Sequence, residues 1–82
     1  MGMTNQEPCL RLLRPRLAKR MNELDLSAGQ LAEMCDMTRP AISQYLDNRR
    51  IPATLALVRL ARALDCSADW LLGLSDDPTP RW

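Results

Sequence analysis

Two helix starts eleven residues apart constrain this chain more than any other feature of its sequence. Ser27, followed three residues later by Gln30, has the form of a capping box, in which the hydroxyl accepts an early helix amide and the Gln side chain reaches back to the cap. Thr38 is a second good N-cap, ahead of Arg39-Pro40. A helix that begins at Ala28 must therefore end before Thr38. Leu31, Ala32 and Cys35 give that helix a narrow apolar face about two turns long, which Asp36-Met37-Thr38 interrupts. The pattern predicts two short helices joined by a tight turn.

The flanking segments read as helices too. Pro15 fits a helix start better than a helix interior, where it would remove a backbone bond and clash one turn back. From there Leu17, Met21 and Leu24 recur at helical spacing, which predicts a first helix over about 14–24 and leaves residues 1–13 as a flexible arm. Asp47-Asn48-Arg49-Arg50, ending at Ile51-Pro52, is a loop by composition. Leu57, Leu60, Ala61 and Leu64 predict a fourth helix over about 54–65, with Val58 at its margin. Ser67 then caps a short fifth helix that Gly73 stops in the left-handed conformation. Pro78 and Pro80 mark residues 75–82 as a loose tail. No period-two strand stands out, so the fold class expected is all-α, a compact five-helix domain over residues 14–74.

Composition narrows the function. A chain of 82 residues holds one core, and with 46% hydrophobic but only 4% aromatic residues and no Phe, that core is built from Leu, Ala, Met, Ile and Val. With no His, the commonest general base and metal ligand are both missing, so neither a catalytic site nor a metal or other cofactor is expected. Cys9, Cys35 and Cys66 lie far from any CxxC spacing and read as reduced thiols of an intracellular, cytoplasmic protein. No apolar run reaches the ~18 residues of a membrane span. The net charge of +1 hides an uneven distribution: Arg11, Arg14, Arg16, Lys19 and Arg20 have no acid among them. Arg39, Arg49, Arg50, Arg59 and Arg62 have only Asp47 between them, and Asp65, Asp69, Asp76 and Asp77 then reverse the sign. Either these are ordinary solvated helix faces, or a basic face meets a nucleic acid.

The stretch from Leu26-Ser27 through Gln30-Leu31-Ala32, Met37-Thr38-Arg39 and Ile42-Ser43-Gln44-Tyr45 resembles the phage-repressor-like (Cro/C1, or XRE) family. Arg49-Arg50-Ile51-Pro52, Leu57 to Leu64, and Ser67 to Gly73 are similar to the stretch that carries the fourth and fifth helices of that family, so the resemblance covers about residues 14–74. It implies a lambda-repressor-like domain whose second and third helices form a helix-turn-helix, with the third entering the major groove of double-stranded DNA. The implied activity is sequence-specific transcriptional regulation, as a repressor, by a homodimer on a palindromic operator, with no membrane or metal involved. By position, Arg39, Pro40, Ser43 and Gln44 would contact bases, and Thr38, Tyr45, Asn48, Arg49 and Arg50 phosphates. Trp70, Leu71 and Leu74, with the Ile51-Pro52 loop, would meet the second subunit.

This chain departs from the family pattern at three positions. Asp36 in the turn and Asn48 after the third helix stand where the family has Gly, and both types tolerate the positive φ expected there. Ala28 replaces a customary Gln and has no side-chain hydrogen bond to offer. Ala28 and the small net charge favour a second reading, a protein-interaction module on the same fold that has lost DNA binding. Tyr45, Trp70 and Leu71 also have core roles open to them at this spacing.

Overall fold

The computed structural model describes residues 8–80, with side chains from residue 11 onward. It contains α1 (Pro8–Glu23), α2 (Ala28–Cys35), α3 (Arg39–Leu46), α4 (Thr54–Ala63) and α5 (Ala68–Leu71). No strand occurs among the described residues.

Local chemistry sets the helix starts. At α2 the Gln30 amide donates to Ser27 Oγ (3.1 Å) and the Ser27 amide to Gln30 Oε1 (2.8 Å), so the capping box is complete. At α3 the second helical residue is Pro40, which has no N–H, and Thr38 Oγ1 accepts instead from the Ala41 amide at 3.3 Å. Ser67 Oγ caps α5 through the Trp70 amide at 3.3 Å. Ala53 leads into α4 with no side-chain cap.

The helix ends share one device. After each helix the chain passes through a single left-handed residue: Asp25 (φ 57°), Asp36 (57°), Asn48 (64°), Asp65 (53°) and Gly73 (80°). The following amide then donates to the carbonyl five residues earlier: Leu26 to Met21 (2.9 Å), Met37 to Ala32 (2.9 Å), Arg49 to Gln44 (2.9 Å), Cys66 to Ala61 (3.0 Å) and Leu74 to Asp69 (2.8 Å). These are Schellman closures, which satisfy carbonyls that a helix end otherwise leaves bare. Four of the five rest on Asp or Asn, the non-glycine types most at ease there. Asp36, Asn48 and Gly73 were expected in this role, whereas Asp25 and Asp65 were not.

The helices enclose one core. Leu13, Leu17 and Met21 enter it from α1, Leu31, Ala32 and Cys35 from α2, Ile42 and Tyr45 from α3, and Leu60 and Ala61 from α4. Leu64, Cys66, Trp70 and Leu71 close it from the α4–α5 corner and α5. α2 packs on α3 and α4, and α1 on α3 and α5.

Three expectations need correction. α1 begins at Pro8 rather than near residue 14, and Pro15 lies inside it. The lost hydrogen bond is tolerated because Leu13, one turn before Leu17, is buried and anchors the early turns to the core. Residues 8–13 therefore belong to α1, while residues 1–7 of the expected arm lie outside the described residues. Leu24 is 38% exposed, because α1 has already ended at Glu23 and the turn carries the side chain off the stripe. Finally, the segment after Gly73 is held rather than loose: Pro78 O accepts from the Ser67 amide at 2.9 Å and Ser75 O from Arg16 Nη1 at 2.8 Å.

Candidate nucleic-acid interface

α3 is oriented by its buried side. Ile42 is fully buried and Tyr45 is 4% exposed, and residues three apart share one helix face. With those two fixed inward, Arg39 and Pro40 are exposed and Ser43 and Gln44 half-buried. Two structural details hold α3 close against α2. Ala32, 3% exposed, has too small a side chain to keep the helices apart, and Asp36 in the left-handed region lets the three-residue turn close.

The loop after α3 is equally constrained. Asn48 turns the backbone at φ 64°, and the Arg49 amide returns to Gln44 O, so Asp47 to Arg50 stand against the end of α3 with all four side chains exposed. Arg49 Nη2 lies 2.8 Å from Asp47 Oδ2, with side chains 68% and 54% exposed. Arg39, Arg49 and Arg50 thus present three guanidinium groups along one helix and its exit loop. Such groups match phosphate oxygens and guanine edges.

The other basic cluster of the sequence serves the fold. Arg16 Nη1 donates to Trp70 O and Ser75 O, its Nη2 lies 3.2 Å from Asp76 Oδ1, and its guanidinium carbon stands 5.1 Å from the Trp70 ring centre. Arg20 Nε donates to Leu64 O at 2.7 Å, which satisfies the end of α4. Lys19 and Arg20 both pair with Glu23, and their hydrogen bonds, Lys19's first, hold that carboxyl below its ordinary pKa. Of the basic residues 11–20, Arg16 and Arg20 therefore serve the fold, while Arg11, Arg14 and Lys19 are exposed.

The remaining sequence candidates divide by burial. Thr38 is exposed and uses its oxygen as the α3 cap, which leaves the hydroxyl proton able to donate. Tyr45 takes the core role that its spacing left open. Trp70 (6% exposed) and Leu71 (fully buried) are consumed by the chain's own core, so of the three residues expected at a dimer contact Leu74 alone, 70% exposed, has area to offer a partner. The indole lies under the Arg16 guanidinium and is buried in the core that Leu13, Leu17 and Met21 enter from α1. Sequence reasoning missed the carbonyl-capping roles of Arg16 and Arg20, which link residues more than forty positions apart and leave no local pattern.

No group of three or more metal-ligating side chains occurs among the described residues. Cys35 and Cys66 are buried free thiols, and burial pushes the Cys66 thiol up to about 11, far from a reactive thiolate. A shallow hollow of about 300 Å³ beside Ala18, Met21, Leu26 and Leu46 has Asn22 as its one polar lining side chain. No helix of the described residues is long and apolar enough to cross a membrane.

Five short helices, the second and third meeting at a three-residue turn with α3 turned outward, define the helix-turn-helix class. The helix-turn-helix family model matches residues 17–71, and the chain belongs to that family, in its XRE-type branch. A relative from Bacillus subtilis (strain 168), the uncharacterized HTH-type transcriptional regulator YobD, is 37% identical over 73 residues. That match covers 89% of this chain and 61% of YobD, so the chain spans somewhat under two thirds of its relative. The solution structure of the DNA-binding domain of the P22 c2 repressor superposes with a TM-score of 0.71 at 33% identity, covering 74% of this chain and 80% of that one.

Proposed function

We propose that this chain is a DNA-binding transcriptional regulator, acting as a repressor in the cytoplasm, that inserts α3 into the major groove of double-stranded DNA. The observation that carries the reading is the outward side of α3, where Arg39 and Pro40 are exposed and Ser43 and Gln44 half-buried, opposite a core that holds Ile42 and Tyr45. Arg39 pairs with the O6 and N7 of guanine, Gln44 with the N6 and N7 of adenine, and Pro40 touches a thymine methyl, while Ser43 donates to a base or phosphate. Asn48, Arg49 and Arg50 hold the backbone beside the groove, with the Thr38 hydroxyl at the other end of α3 and the Tyr45 hydroxyl as a minor contributor. Membership of a family of DNA-binding regulators supports the reading, and enzymatic activity has no place in it.

The regulator acts as a homodimer on a palindromic operator. One short helix reads only a few base pairs, and paired half-sites supply the missing discrimination against competing genomic DNA. Leu74 and Ile51, both exposed, are the apolar groups of the expected contact region that support it.

Selection of bound duplexes from a random pool, followed by titration of variants, tests the reading. Arg39→Ala and Gln44→Ala should each cost about 1–3 kcal/mol at one operator position and relax preference there, whereas Arg49→Ala should weaken all sequences alike and flatten the salt dependence. Affinity that does not change between low and physiological salt would instead favour the interaction-module reading that Ala28 supports.

A further inference from the structure

We infer that Asp47 is an internal competitor for the phosphate-binding guanidinium of Arg49 and holds down the affinity of this chain for duplex DNA of any sequence. The inference rests on the reading of Arg49 as a phosphate anchor. Between Met37 and Leu64 the sequence carries five arginines and a single acid, Asp47, and that acid stands at the end of α3, inside the proposed interface.

Helix stability does not explain an acid there. An anion at a helix C-terminus opposes the macrodipole. The backbone of Asp47 has φ −88° and ψ 2°, open to most residue types, and its bond to the helix is made by its amide to Ser43 O at 2.9 Å, which any non-proline residue supplies. The ion pair with Arg49 does not explain it either, since both side chains are more than half exposed and such pairs contribute little to folding. What the carboxylate does is neutralise one guanidinium of the basic face. Between the two residues, Asn48 in the left-handed region and the Arg49 amide on Gln44 O set the backbone, so the 2.8 Å pair forms within one fixed turn.

Such a pair has two opposite effects on DNA binding. By orienting Arg49 the carboxylate would favour phosphate contact; by occupying the guanidinium and keeping a negative charge at the interface it would oppose it. Orientation is the smaller effect, because a pair this exposed restricts a long side chain weakly. Competition is direct: a phosphate must displace the carboxylate or sit beside it. An arginine already neutralised also adds less to counterion release, which supplies about 0.9 in the salt slope per phosphate contact. Because phosphates carry no sequence information, the effect falls on all duplexes, and base reading by Arg39 and Gln44 is untouched. Asp47 thus acts through Arg49, by competing for its guanidinium rather than by orienting it.

The test measures binding of the 82-residue chain to a random-sequence duplex of about two helical turns, by fluorescence anisotropy, across about 50–200 mM KCl. Asp47→Asn should tighten binding about three- to ten-fold and steepen the log–log salt slope by roughly 0.9, the value of one phosphate contact. Asp47→Glu, which keeps the charge, should stay close to the parent. In an Arg49→Ala background most of the gain from Asp47→Asn should vanish. Weaker binding by Asp47→Asn would mean that Asp47 orients Arg49, no change that the pair is idle, and an equal gain without Arg49 that Asp47 merely repels DNA; each overturns the inference while the DNA reading stands. If the parent chain shows no salt-dependent duplex binding, the reading beneath fails and the inference falls with it.

Discussion

The Thr38 hydroxyl has one role within the fold and a second in the proposed complex. Its oxygen caps α3 through Ala41, because Pro40 has removed the other amide within reach, and in the proposed complex its proton would donate to a phosphate. Thr38→Val keeps the shape and deletes the acceptor, so a loss of about 1 kcal/mol in folding stability is expected, read as a lower denaturation midpoint. An unchanged midpoint would mean that the cap contributes nothing. Cys66 makes a different kind of prediction. Burial raises its thiol from an ordinary 9.0 to about 11, so the folded chain keeps its proton where the unfolded chain loses it. The stability this represents is fully present below pH 9.0 and is lost as pH rises toward about 11. Urea titrations should show that decline, and Cys66→Ala, though less stable throughout, should show less of it.

At the scale of elements, α1 is a beam to which two other helix ends are fastened. Arg20 reaches the end of α4, and Arg16 reaches the end of α5 and the chain beyond it. Both are charge-assisted bonds to carbonyls at helix ends, and Trp70 O also accepts from the Gly73 amide at 3.1 Å. Arg16→Ala removes two backbone contacts, an exposed pair with Asp76 and the stacking on Trp70, and should lower stability by about 2 kcal/mol. Arg16→Lys, which keeps the charge without the planar fork, should recover only part of that loss, whereas Arg14→Ala, at an exposed position on the same helix, should change little. Equal midpoints for the three variants would show that the clamp is unused.

For the whole molecule, the separation of roles matters more than the net charge. Arg16 and Arg20 of α1 hold helices together, the arginines around α3 face outward, and the acids Asp65, Asp69, Asp76 and Asp77 gather near α5 and the segment after it. A near-neutral total is therefore compatible with an anion-binding face. The proposed dimer adds a test at this scale. Leu74 is exposed, so Leu74→Asp should alter folding by less than about 0.5 kcal/mol, yet it should lower cooperative binding to an inverted repeat whose half-site centres lie about one helical turn apart. Sedimentation showing one chain on a non-palindromic site, with Leu74→Asp indistinguishable from the parent, would remove the dimer from the account.

The helix-turn-helix was legible in the sequence because its determinants act within a few residues. Ser27 and Gln30 cap each other, Thr38 caps across Pro40, and Asp36 and Asn48 carry a conformation that few other side chains tolerate. The spacing places the ends of α1 and α4 near residues 24 and 65, and the same rule applied to Asp25-Leu26 and Asp65-Cys66 would have identified the left-handed residues that make those ends. Pro15 misled because its local cost is real, and only the burial of Leu13 against distant helices shows how that cost is offset. The fates of Arg16, Trp70 and Leu71 lay further from view. A guanidinium bonded to a carbonyl fifty-four residues away, an indole beneath it and a leucine with no exposed surface depend on which helices meet, and helical periodicity describes one helix at a time. Sequence alone determined where the chain turns and which face of α3 looks outward; tertiary structure decided which of its cations and apolar side chains remain available to a partner, because availability is whatever the core and its clamps leave unused.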